Sequence, residues 1–214
     1  MRLMIFICCI FLLTPQRTAL AHPHVWTDMI IKILFDDTGK AYGLHQTWLF
    51  DDYYTAYAVE GTDRDGDGTP DQGELDEIMK VNMEHLKEYG YFTEATFKDE
   101  VLKLKPVTDM STRMLDKRLE MSFVTPFEEP VSVAGTDFSY AIFDPTYYVE
   151  MLHAETDMAV IISGAPEGCA YKLIPPNPDP SAVAQAAMLD ASERGATGLG
   201  SFFAERVSLT CPIE

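Results

Sequence analysis

Basic residues are scarce in this chain of 214 residues: Lys and Arg number 16 against 34 Asp and Glu, a formal net charge of −18. Holding nucleic acid needs clustered Lys and Arg against phosphate, so this balance argues against that function class and against adhesion to an anionic membrane surface. It fits a protein that attracts cations. Long apolar runs are lacking except near the N-terminus, so no membrane span is expected in the mature chain. Cysteine is limited to four residues. There is no internal repeat, no Gly-rich phosphate loop and no nucleophile elbow. No acid/base or nucleophile constellation is visible, and the expectation is a protein that is not an enzyme.

The one apolar run that is present has the form of a targeting segment. Arg2 supplies a positive start, Met4 to Leu13 reads MIFICCIFLL, and Ala19-Leu20-Ala21 is a small-x-small cleavage site. The run is too short for a permanent anchor, so residues 1–21 are read as a secretory signal peptide and residues 22–214 as one β-rich periplasmic domain. Cys8 and Cys9 leave with the signal, as do Arg2 and Arg17, which makes the mature chain still more acidic. Cys169 and Cys211 remain, and two cysteines in an oxidising compartment are expected to pair. That cross-link stabilises the fold by roughly 3–4 kcal/mol in the chain-entropy picture.

Along the mature chain, Val25 to Phe35 and Ala41 to Phe50 read as strands of a hairpin around the Asp36-Asp37-Thr38-Gly39 turn. Asp51 or Asp52 is placed to cap a short helix through Glu60. Leu75, Ile78, Met79, Asn82, Leu86 and Tyr89 recur at helical spacing up to Gly90. Strands are predicted at Tyr91 to Phe97, Val101 to Pro106, Arg118 to Val124, Phe138 to Phe143, Met158 to Ile162, Ala170 to Ile174 and Phe203 to Thr210. A helix is predicted at Ser181 to Ser192, after the irregular PPNPDP stretch. The expected fold is α+β and β-rich. It has an antiparallel sandwich-like core with an EF-hand-type helix-loop-helix inserted at about residues 52–89. Trp26, Trp48 and Phe50 are assigned to the core, and the Phe143 to Tyr148 run to a turn between strands.

The inserted loop carries the clearest chemistry. From Asp63 the sequence is DRDGDGTPDQGE. Asp63, Asp65 and Asp67 take positions 1, 3 and 5 of a twelve-residue calcium loop, with Gly68 at the sharp turn. Thr69 offers its backbone carbonyl, Asp71 stands at position 9, and Glu74 supplies the closing bidentate carboxylate. Calcium is a hard ion that takes six to eight oxygens, and this spacing converges them. Pro70 stands where a paired loop would donate a backbone N–H, and no second loop occurs in the chain. A solitary structural calcium site of modest affinity follows, about 10⁻⁴ to 10⁻³ M.

The mature N-terminus, His22-Pro23-His24, offers two imidazoles and an α-amine for a transition metal such as zinc, nickel, cobalt or copper. Pro23 has no amide proton, so such a site needs completion from elsewhere. The candidates are His45, His85, His153, Asp51 and Asp144.

Several segments together resemble the bacterial family known as domain of unknown function 1007. They are HPHVW at His22 to Trp26, QTWLFDD at Gln46 to Asp52 with Tyr53 and Tyr54, and the Asp63 to Glu74 loop with Leu75. NMEHLKEYGY at Asn82 to Tyr91, FDPTYY at Phe143 to Tyr148, and Gly164 to Cys169 with Cys211 complete the set. Members of that family are described as periplasmic components of an uncharacterised ABC-type transport system, and they commonly occur beside permeases of the nickel/cobalt type. The resemblance implies a periplasmic calcium-binding accessory or binding protein for transition-metal transport, partnered by a membrane permease. The competing expectation is a calcium-stabilised interaction module that docks a membrane partner and has no transition-metal site.

Overall fold

The computed structural model describes residues 23–135, 137–190 and 193–213, so the predicted signal segment and His22 lie outside the described residues. The chain opens with the predicted hairpin, β1 (Val25–Phe35) and β2 (Lys40–Phe50), paired antiparallel. Side chains alternate across a strand, and here one face of the pair buries Met29, Ile31 and Ile33 with Leu44, Gln46 and Trp48. The hairpin turns where Gly39 takes φ +75° and the Asp36 carboxylate accepts the Thr38 and Lys40 N–H groups at 2.8 and 3.1 Å. Next come α1 (Asp52–Thr62), α2 (Gln72–Leu86) and a 3₁₀ segment, Lys87–Phe92.

Nine further strands and one further α-helix are seen among the described residues. They are β3 (Thr93–Phe97), β4 (Glu100–Val101), β5 (Thr108–Leu115), β6 (Arg118–Ser132), β7 (Phe138–Ile142), β8 (Val149–His153), β9 (Val160–Ile161), β10 (Ala170–Ile174), α3 (Pro180–Met188) and β11 (Arg206–Thr210). The first sheet runs β5-β6-β2-β1-β8, with β9 also beside β1, and the second runs β10-β11-β7-β3-β4. Both sheets feed one buried cluster. Trp48, Phe123 and Ile31 enter it from the first, and Phe138, Ile142 and Val207 from the second. Trp48 is the largest fully buried side chain, with Phe123 edge-on at 4.9 Å and Phe92 stacked at 6.2 Å. Buried Gln46 fits because its partners are present. Its amide donates to Thr93 Oγ1 (2.8 Å) and to Thr125 Oγ1, and its carbonyl accepts Trp48 Nε1 (3.1 Å). A disulfide joins Cys169, just before β10, to Cys211, just after β11, across 42 residues.

The strand-rich α+β class is as expected, but the sheets are not wholly antiparallel: β8 and β9 run parallel to β1. The cause is a change of sheet. The chain leaves β7 in the second sheet and returns to the free edge of β1 in the first, and that return sets its direction. The corner is built on Asp144, which is 4% exposed. Its carboxylate accepts N–H groups from Thr146 (2.8 Å), Tyr148 (2.9 Å) and Val149 (3.1 Å).

Other elements also differ from expectation. β5 was not predicted, because its turn into β6 is Asp116-Lys117, both at positive φ (48° and 70°), without the Gly or Asn that usually marks such a turn. The predicted strand Val101 to Pro106 shrinks to β4 and an isolated bridge from Leu104 to Phe127. Tyr91 and Phe92, both at positive φ, delay β3 to Thr93. Trp26 is 46% exposed and outside the core, because it points away from the face that buries Val25 and Thr27.

Candidate metal centre

The acidic loop joins two helices, and the sequence at each junction explains why they stop and start there. Asp51 caps α1, its Oδ1 accepting the Tyr53 and Tyr54 N–H groups at 2.7 and 3.0 Å. α1 ends at Thr62, and Asp63 follows in extended conformation. Asp71 then opens α2 with a capping box. Its Oδ1 accepts Glu74 N–H at 2.9 Å while Glu74 Oε2 accepts Asp71 N–H at 3.0 Å. The second Glu74 oxygen accepts Arg64 N–H at 2.7 Å. The Glu74 side chain thus staples the start of the loop to its end, and at 5% exposure it is buried.

Within the loop, Asp63 accepts N–H groups from Gly66 (2.7 Å) and Gly68 (3.0 Å), which bend the chain back toward it at φ +74° and +73°. Asp65 accepts Asp67 N–H at 3.1 Å, and Asp67 accepts Thr69 N–H at 2.6 Å. Carboxylate oxygens of Asp63, Asp65 and Asp67 consequently lie within 4.8 Å of one another. Like charges this close repel by about 1 kcal/mol per pair even in water-like surroundings, and a divalent cation reverses the sign. Asp63 is partly shielded while Asp65 and Asp67 are open to solvent, so an ion has direct entry. Among the described residues this is the one group of three or more Asp, Glu, His or Cys with ligand atoms so close. Asp71 and Glu74 stand outside the triad, held by the capping box, and Thr69 adjoins it through its N–H.

Of the residues considered for a terminal transition-metal site, His85 and Asp144 line one cavity with Tyr148, whose ring also packs on His24. His24 leads into β1, its N–H donating to the Tyr148 carbonyl at 2.9 Å and its ring 5.0 Å from the Tyr148 ring. His45 lies beside Ser122 Oγ at 3.1 Å, and burial, then the Lys32 charge, hold its pKa below the usual value. Asp51 and Asp144 hold backbone turns, and none of the candidates forms a three-ligand group with His24 among the described residues. His153 is buried between Tyr140 Oη (3.0 Å) and Glu205 Oε2 (2.9 Å). Burial pushes the Glu205 pKa up, but hydrogen bonds from the His153 ring and backbone outweigh it and hold the carboxyl below its ordinary range. The sequence carried no signal for this pair, whose members stand 52 residues apart.

No helix among the described residues is long and apolar enough to cross a membrane. No solved structure matches the chain. It is similar to an uncharacterized protein of Haemophilus influenzae, at 27% identity over 195 residues that cover 90% of this chain and 92% of the relative. The family described as protein of unknown function DUF1007 matches residues 6–211, a span that takes in the acidic loop, the Asp144 corner and both disulfide cysteines, and the chain therefore belongs to that family.

Proposed function

We propose that this protein is an exported calcium-binding protein that serves transition-metal transport beside a membrane permease. One observation carries the calcium part: three carboxylates gathered within 4.8 Å on a glycine-bent loop between two helices. Its spacing is that of an EF-hand loop, and all-oxygen ligands suit calcium better than softer ions. Swinging of Glu74 from the Arg64 and Asp71 N–H groups toward the triad would complete the shell. The ion then does structural work, cancelling repulsion in a segment that has little apolar burial of its own. The transport part is supported by the family resemblance and by the imidazoles at His22 and His24.

Two measurements test this reading. Calcium at about a hundred times its Kd stabilises the binding state by about 2.7 kcal/mol, which for a chain of this size raises Tm by about 5–10 °C. The pair Asp63→Ala with Glu74→Ala is expected to abolish that rise, and Asp65→Asn to shrink it without unfolding the loop. An equal rise in all three proteins rejects the loop as the site. For transport, protein processed to His22 is titrated with zinc, nickel, cobalt and copper beside a His22→Ala/His24→Ala control. Binding that the control loses supports the reading, and equal behaviour removes the terminal site.

A further inference from the structure

Helix α1 buries little for its composition. Thr55 is its single buried residue, while Tyr53 and Tyr57 are 85% and 76% exposed. Residues four apart share a helix face, so these two rings stand one turn apart on the same side. Large aromatic groups placed in water on a helix with a core to pack against call for a partner.

The two rings border a cavity of about 300 Å³, whose other walls include His24, Tyr54 and Tyr148. Two of these walls are fixed. Tyr54 packs on Phe50 at 4.5 Å and donates its hydroxyl to Asn82 Oδ1 at 2.8 Å, and burial keeps that hydroxyl protonated by raising its pKa. Tyr148 is held through its backbone by Asp144 and packs its ring on His24. Among the described residues no Lys or Arg lines this cavity, whereas the two larger grooves hold Arg64 in one and Lys80 and Lys87 in the other. The Asp51 carboxylate is committed to backbone, its Oδ1 accepting the Tyr53 and Tyr54 N–H groups at 2.7 and 3.0 Å and its Oδ2 the Trp26 N–H at 2.8 Å, and it is not one of the cavity walls. The setting is thus four electron-rich rings on a strongly acidic chain, in a volume suited to a small molecule.

We infer that this cavity binds a small methylated ammonium cation, held by the faces of Tyr53, Tyr54, Tyr57 and Tyr148. Aromatic rings attract a cation through their quadrupole, and a quaternary ammonium group sheds water more readily than a primary amine. The ring faces of Tyr53, Tyr54, Tyr57 and Tyr148 offer a metal ion no ligand atoms, and His24 is the one imidazole on the wall. The site is separate from the acidic loop and does not rest on the calcium reading.

Choline is the probe, titrated calorimetrically into the calcium-loaded protein, with the neutral tert-butyl analogue of choline as the control. Choline is expected to bind with a Kd below about 1 mM, and the neutral analogue at least about tenfold more weakly. Tyr57→Leu, at an exposed position that leaves the fold intact, is expected to weaken choline about tenfold, and Tyr57→Phe to keep the affinity. Equal binding of choline and its neutral analogue overturns the inference, and so does unchanged choline binding in Tyr57→Leu. Absence of choline binding in protein whose Tm still rises with calcium overturns this inference alone.

Discussion

The two-sheet core and the helix pair above it are held by different forces. β1 and β2 bury an entire face, and Trp48, at 1% exposure, sits among rings from both the sheet and the 3₁₀ segment. α1 buries one residue, and its connection to α2 depends on carboxylates accepting backbone N–H groups. Burial is short-ranged and insensitive to ions, whereas a cluster of carboxylates is sensitive to both ions and pH. The sheets thus rest mainly on apolar burial, and the loop between the helices on carboxylates that accept backbone N–H groups. α2 bridges the two regimes, since Leu75, Ile78, Met79 and Met83 face the core while its first turn belongs to the loop.

The contrast breaks if the core proves as dispensable as the helix pair. Trp48→Ala removes a buried ring and is expected to cost about 3–5 kcal/mol of unfolding free energy, with or without calcium. Denaturant titration in both conditions checks it. Asp71→Ala, which removes the α2 cap, is expected to cost about 1 kcal/mol in chelator. The loss in calcium is expected to be larger, because position 9 of the loop goes with it. Hydrogen exchange at the first turn of α2 reads the difference, and an identical loss in both conditions would divorce capping from ion binding.

The smallest expected effect is at Glu205, which ties β8 to the segment before β11. Its carboxyl is held below its ordinary value, so the stabilisation it gives is present above that value and is lost as pH falls through the lowered folded-state pKa. The Glu205 side chain is 16% exposed, and the effect is expected to be about 0.5–1 kcal/mol, the low end for a single hydrogen bond. Glu205→Gln is therefore expected to lower Tm slightly at neutral pH. The gap from the parent protein should close on acidification, as followed by thermal melts across the acid range. A gap that widens in acid would show that His153 does not stabilise the carboxylate.

Much of this was legible in the chain itself. β1 and β10 have the predicted limits, and β2 differs by its first residue, because strong alternation and flanking turn residues fix a strand locally. The Asp63, Asp65 and Asp67 cluster was legible for a similar reason: carboxylates two residues apart on a glycine-bent loop come together by local geometry. β5 escaped because an edge strand exposes most of its side chains and so lacks alternation, and its turn uses Asp-Lys at positive φ. β8 escaped because its place is set by a partner more than a hundred residues earlier in the chain, Val25 opposite Val149.

Sequence alone determined the hairpin, the two helices around the acidic loop and the presence of paired cysteines, since each depends on neighbours in the chain or on simple composition. Tertiary structure alone decided the parallel return of β8, the His153–Glu205 pair and the cavity between α1 and Tyr148. Each of these depends on which distant segments the shared core brings together, and burial against a common core leaves no local pattern to read.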